Sequence, residues 1–247
     1  MPYKGASLRL LVSVRDVREA VDALAGGADV IDAKEPLRGA LGAVDASMAR
    51  AIMRRVRARR PVSIVIGDFM RPDEAARAAG EACRCGASIV KVGLAGVASI
   101  ACARDIVHAV RSSTTSSAMT VVAYADAERA RTLVAEEVVE LAMSEGAGGV
   151  VLDTFDKDGP GLFAHLRAER VARIVADAHA GGLFVGVAGR LGAAHVDAAR
   201  EADADLFGVR GAVCSGGRQA SLSPARVRAL ALLLRERDGA QLAAQPA

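Results

Sequence analysis

Lys34, Lys91 and Lys157 lie in the segments DVIDAKEP, SIVKVG and VVLDTFDKDGPG, each where a short apolar run ends. A lysine desolvated at such a place can lose its proton and act as a nucleophilic amine, which arginine cannot do. The chain has only four lysines against 28 arginines, the fourth being Lys4 near the start. Nucleotide composition could also produce that imbalance, so position has to decide. Side chains alternate along a strand, so Asp32 and Lys34 share one face above Val30, while Ile31 and Ala33 face the other way. By the same parity Ile89, Lys91 and Gly93 share a face, as do Val151 and Asp153. Burial beside a second cation lowers a lysine's pKa. Lys34 and Lys91 can therefore activate one another, with Asp32 and Asp153 orienting them and moving protons. A structural salt-bridge network at the rim is the competing reading of any single pair. Two pairs on alternate strands of a lysine-poor chain favour chemistry.

The elements that must position these groups follow from hydrophobic patterning. Short apolar runs at 8–14, 29–34, 62–67, 88–93, 119–125, 148–154, 183–189 and 205–211 predict strands. Ala/Arg-rich stretches near 16–25, 46–59, 73–86, 99–111, 127–145, 162–180, 191–202 and 224–236 predict helices. The breaks GGAD, CGAS, EGAGG, AGGL and EADAD supply what a helix C-terminus needs before the next strand begins. Eight strands, each followed by a helix, predict an α/β fold, a single (β/α)₈ TIM barrel filling one domain over 8–236 with a flexible tail at 237–247. In that fold the active site gathers at the C-terminal ends of the strands, and alternate strands place side chains in a common layer. The loops after the last two strands commonly grip phosphate. VGVAGR and FGVRGAVC therefore make Gly189, Gly208, Arg210 and Gly211 candidate phosphate-binding residues, with residues 215–217 extending the cradle.

Composition closes off several classes. A net charge of +3 with 3% aromatics and no tryptophan gives no basic stripe of the kind that binds nucleic acid. Cys83, Cys85, Cys102 and Cys214 form neither a CxxC pair nor a disulfide framework, as expected of thiols in a reducing cytosol. The opening segment reads as a strand rather than a signal peptide, and no run has membrane-spanning length, so a cytoplasmic location without membrane partners is expected. No HExxH, His/Cys cluster or repeated Asp/Glu spacing argues for a bound metal. The four histidines fall on helices or their ends and read as surface or capping groups. Alanine-rich helices favour a homo-oligomer.

Taken in order, LLVSVRDVREAVDALAGGADVIDAKEPLRGALGA, GASIVKVGLAGV, VVAYADAER, VVLDTFDKDGPGLF, DAHAGGLFVGVAG and DLFGVRGAVC resemble the (5-formylfuran-3-yl)methyl phosphate synthases over roughly residues 8–235. The resemblance implies a (β/α)₈ lyase without metal or organic cofactor. Such an enzyme condenses two molecules of D-glyceraldehyde 3-phosphate into 4-(hydroxymethyl)-2-furancarboxaldehyde phosphate, with loss of phosphate and water, for the furan part of methanofuran or methylofuran. It implies that Lys34 is the Schiff-base lysine and Lys91 the proton acceptor, with Asp32, Asp153 and Lys157 in the same pocket. The chain departs from the archaeal pattern in a shorter segment after Gly67–Asp68 and in Glu35, where a neutral amide is usual. A phosphosugar decarboxylase and a class I aldolase share much of this residue logic, and a non-catalytic barrel binding a phosphorylated metabolite is a third reading.

Overall fold

The computed structural model describes residues 7–56 and 59–243. Lys4 and the last four residues lie outside them. Eight parallel strands close into a barrel in sequence order. They are β1 (Arg9–Val14), β2 (Val30–Ala33), β3 (Val62–Asp68), β4 (Ile89–Gly93), β5 (Ala118–Tyr124), β6 (Gly149–Asp153), β7 (Phe184–Val187) and β8 (Leu206–Val209). Around them run α1 (Val17–Gly26), α2 (Ala46–Val56), α3 (Pro72–Arg84), α4 (Ile100–Ser113), α5 (Ala127–Ala130), α6 (Ala135–Ser144), α7 (Leu162–His165), α8 (Ala168–Ala180), α9 (Val196–Glu201) and α10 (Pro224–Ala243). No helix among the described residues is long and apolar enough to cross a membrane.

The expected breaks do their work in the backbone. Gly27 ends α1 at φ 91°, with its N–H on the carbonyls of Ala23 and Leu24, a conformation that favours glycine. Asp203 takes the same left-handed role before β8 at φ 57°, which aspartate tolerates better than most residues.

Strand parity sorts the barrel into two apolar regions. Leu10, Val12, Ile31, Ala33, Val90 and Val92 face outward and pack with the helices. Leu11, Val30, Ile89, Phe184 and Leu206 point inward and plug the barrel below the charged residues. Phe184 and Leu206 are both about 1% exposed, and burying side chains of this size stabilises the fold by roughly 1.5–3 kcal/mol each. The plug makes the barrel a floor for a site rather than a channel.

Four helical stretches differ from expectation. Residues 127–145 divide into α5 and α6 because Arg131 adopts φ 50° and ends the first turn. Residues 162–180 divide into α7 and α8 at Leu166–Arg167, both in extended backbone. A 3-10 turn at Ala193–His195 precedes the short α9, and α10 continues past 236 to Ala243.

Candidate active site

The inward parity expected for β2, β4 and β6 brings Asp32, Lys34, Lys91, Asp153 and Lys157 to the wall of one cavity of about 550 Å³ at the barrel mouth. That volume lies within the range of small-molecule sites. Lys34 follows β2 directly, its N–H held by the Val14 carbonyl at 2.9 Å. Asp153 ends β6, and Lys157 returns to it from the loop four residues later.

Two carboxylates organise the cations. Asp32 Oδ1 accepts from Lys91 Nζ at 2.8 Å, and its Oδ2 accepts from Ser13 Oγ at 2.8 Å. Burial pushes the Asp32 carboxyl up, but Lys91, Lys34 and these hydrogen bonds outweigh it and hold the group below its usual range. Asp153 Oδ1 accepts from Lys157 Nζ at 2.6 Å and from the Thr154 N–H at 2.8 Å, while Oδ2 lies 3.6 Å from Lys34 Nζ. Burial works against the Asp153 carboxylate too, yet Lys157 and Lys34 bring its pKa down to about 2.

Lys34 has the weaker share of that carboxylate. Burial lowers its pKa first, then the neighbouring charge of Lys157; the attraction of Asp153 and Asp32 only partly offsets them, leaving about 8. Lys91 lowers it further, as the sequence suggests, but Lys157 is the stronger of the two cations. The site therefore holds one amine that gives up its proton more readily than an ordinary lysine, beside other amines with closer carboxylate partners.

Gly189, Gly208, Arg210 and Gly211 also line this cavity, whereas of residues 215–217 only Gly217 does. Arg210 does not offer itself to a ligand. Its Nη1 donates to Glu19 Oε2 at 2.8 Å and to the Ser13 carbonyl at 3.0 Å. Its Nη2 donates to Glu19 Oε1 at 3.2 Å and to the Ala220 carbonyl at 3.5 Å, and its Nε to the Arg218 carbonyl at 2.6 Å. All five guanidinium N–H groups are thus engaged. Glu19, on α1 and fully buried, makes this an internal ion pair.

Sequence reasoning passes over three groups. Ser13 orients Asp32. His195 accepts from the Gly192 N–H at 3.1 Å, as a capping residue would, yet it also lines the cavity. The third is Asp68, whose Oδ1 accepts from Tyr124 Oη and from the Ala95 N–H, both at 2.9 Å. Burial raises the Asp68 pKa, with those hydrogen bonds opposing. Strict alternation would turn Asp68 outward, but β3 slips by one residue between Val65 and Gly67, setting Asp68 opposite Gly93. A Cβ at Gly93 would come within 2.1 Å of Asp68 Oδ1, so only glycine leaves room there.

With the geometry described, comparison with known proteins narrows the chemistry. The model of the family described as 4-HFC-P synthase matches residues 10–231. The chain is 38% identical over 213 residues to the (5-formylfuran-3-yl)methyl phosphate synthase of Methanocaldococcus jannaschii, covering 84% of this chain and 91% of that protein. It is 37% identical over 218 residues to the Methanothermobacter thermautotrophicus protein of the same name, covering 84% and 90%. Among solved structures, KGPDC from Streptococcus mutans superposes with a TM-score of 0.63 over 94% of this chain and 99% of that one, at 14% identity, a likeness of fold alone.

Proposed function

The chain belongs to the 4-HFC-P synthase family, and from that membership we propose that it condenses two molecules of D-glyceraldehyde 3-phosphate into 4-(hydroxymethyl)-2-furancarboxaldehyde phosphate. The reaction releases one phosphate and two waters and supplies the furan part of methanofuran or a related cofactor. One observation carries the mechanism. Lys34 is buried, and Lys157 beside it takes the shorter bond to the carboxylate that the two lysines share; burial first and then that second cation bring its pKa down to about 8. An amine in that state attacks an aldehyde at neutral pH.

The Lys34 amine adds to the aldehyde carbon of the first triose phosphate. The departing hydroxyl takes up a proton from solvent. Water leaves and the imine forms. The protonated imine acidifies the neighbouring C–H, and the Lys91 amine takes that proton to give an enamine. The enamine expels phosphate from its C3, leaving an enol whose C3 forms a bond to C2 of the second triose, brought to its ketone form by proton transfer; the carbonyl oxygen there takes up a proton. Closure of the ring by the C1 hydroxyl of the second triose on C2 of the first, loss of two waters, and hydrolysis of the imine, which takes up one water, complete the aromatic furan and free Lys34. Asp32 and Asp153 hold the two amines in register throughout, and Lys157 faces the oxygens that acquire charge. The backbone amides around Gly189, Gly208 and Gly211 receive a phosphate, with Arg210 shaping that loop from behind.

A decarboxylase reading would keep Lys34 as a proton donor, and no imine would form. Borohydride added with glyceraldehyde 3-phosphate should trap a covalent adduct, and peptide mapping should place it on Lys34. An adduct on another lysine, or none during active turnover, refutes the assignment.

A further inference from the structure

We propose that Arg218 is the phosphate-binding cation of the barrel mouth, taking the phosphate of a bound triose phosphate through guanidinium donors that Arg210 does not have free. The proposal rests on the triose-phosphate reading above. A phosphate ester near neutral pH carries close to two negative charges and presents three acceptor oxygens. Glycine amides offer single dipoles to such a group, whereas an arginine fork meets it with two parallel charged bonds.

Three arginines reach the cavity: Arg190, Arg210 and Arg218. Arg210 is fully committed to Glu19 and to backbone carbonyls. Arg190 is exposed and ties its Nη1 to the carbonyls of Lys157 and Asp158. Arg218 is half-buried, forms no ion pair among the described residues, and makes one side-chain hydrogen bond, from Nη2 to the Gly39 carbonyl at 3.3 Å. Arg218 lines the cavity that holds Lys34 and Asp153, and its other guanidinium donors have no hydrogen-bond partner among the described residues. Burial pushes its pKa down, with Asp153 and Asp158 only partly offsetting this, so its charge is short of compensation where it stands. A bound anion supplies that compensation.

The loop is built to present this side chain. Gly217 takes φ 91°, and a Cβ there would meet nothing within 4 Å, so glycine serves the direction of the backbone rather than clearance. The Arg218 carbonyl is gripped by Arg210 Nε, which is itself anchored on Glu19. The buried ion pair thereby fixes the main chain of residue 218, a residue that lines the cavity. The bond to Gly39 also joins this last loop to the one that follows Lys34. A phosphate on Arg218 would therefore be held close to the segment carrying the imine lysine.

Arg218→Ala and Arg218→Lys proteins test this, with thermal melts establishing that each is folded. The readouts are steady-state conversion of glyceraldehyde 3-phosphate and inhibition by inorganic phosphate. Arg218→Ala should raise KM by about 10- to 100-fold and weaken phosphate inhibition by a similar factor, with a smaller change in kcat. Arg218→Lys should recover part of both, and free guanidinium should partly rescue the alanine protein. A folded alanine protein with unchanged KM and phosphate inhibition would overturn the proposal, as would a loss confined to kcat. If the alanine protein does not fold, Arg218→Gln, which can keep a bond to the Gly39 carbonyl, carries the same test. The two readings fail separately. Furan formation in the wild type with undiminished phosphate affinity in the variant sinks only the Arg218 site. A wild type that makes no furan but binds phosphate through Arg218, measured by calorimetry, sinks only the triose condensation.

Discussion

Asp32 and Asp153 are buried carboxylates on alternate strands, yet they treat their cations differently. Asp32 serves Lys91 at 2.8 Å, with Ser13 satisfying its other oxygen. Asp153 divides itself between Lys157 at 2.6 Å and Lys34 at 3.6 Å. A one-to-one pair keeps a lysine compensated; a carboxylate shared between two lysines leaves the more distant one undercompensated in a buried place. The barrel thus holds two buried amines within one cavity, one paired with a carboxylate of its own and one sharing its carboxylate with a second lysine. The Arg210–Glu19 pair, with every guanidinium donor engaged, marks the opposite extreme, where charge builds structure.

The largest break in that comparison comes from Lys91→Arg. Arginine keeps a charged partner for Asp32 but cannot act as a base. Turnover should fall by about 10²- to 10⁴-fold while borohydride trapping at Lys34 survives, since imine formation needs Lys34 first. Equal loss of trapping and turnover would place Lys91 earlier in the sequence than proposed.

A smaller effect concerns acid stability. The folded pKa of Asp153, about 2, lies below its ordinary 3.8, so the unfolded chain takes up the proton first. The corresponding stabilisation is fully present above pH 3.8 and is lost as pH falls through 2; it amounts to about 2 kcal/mol. Urea unfolding of wild type and Asp153→Asn should show a stability difference that narrows by that amount across this window. A constant difference would mean that Asp153 is held by something other than its lysines.

The smallest expected change sharpens the comparison most. Lys157→Met leaves Asp153 to Lys34 alone, converting the shared arrangement into a one-to-one pair. The Lys34 pKa should rise from about 8, and the pH–rate profile for adduct trapping should move to higher pH with it. A profile displaced upward by a full pH unit would mean that the neutral amine at pH 7 has fallen roughly tenfold. A profile that does not move would show that burial, rather than the second lysine, sets the state of Lys34.

Much of this arrangement is legible along the chain. Alternation places Asp32, Lys34, Lys91 and Asp153 on inward faces, and the glycine and aspartate breaks at Gly27 and Asp203 time the turns between layers. Legibility ends where that period is interrupted or where a partner lies far away. The one-residue slip in β3 turns Asp68 inward against its parity. Arg131 divides a stretch that reads as one helix. Lys157, four residues beyond the strand, can be located only by the course of its loop.

The sequence by itself determined the eight-fold alternation, the inward charged residues and the family, because these depend on periodicity and on motifs within short segments. Tertiary structure decided which arginine is committed to an internal ion pair. Arg210 and Arg218 look alike in a glycine-rich loop, but Glu19, 191 residues away from Arg210, takes the charge of Arg210, whereas Arg218 has no ion-pair partner among the described residues. Partner choice is made by distance in space, and no local pattern carries it.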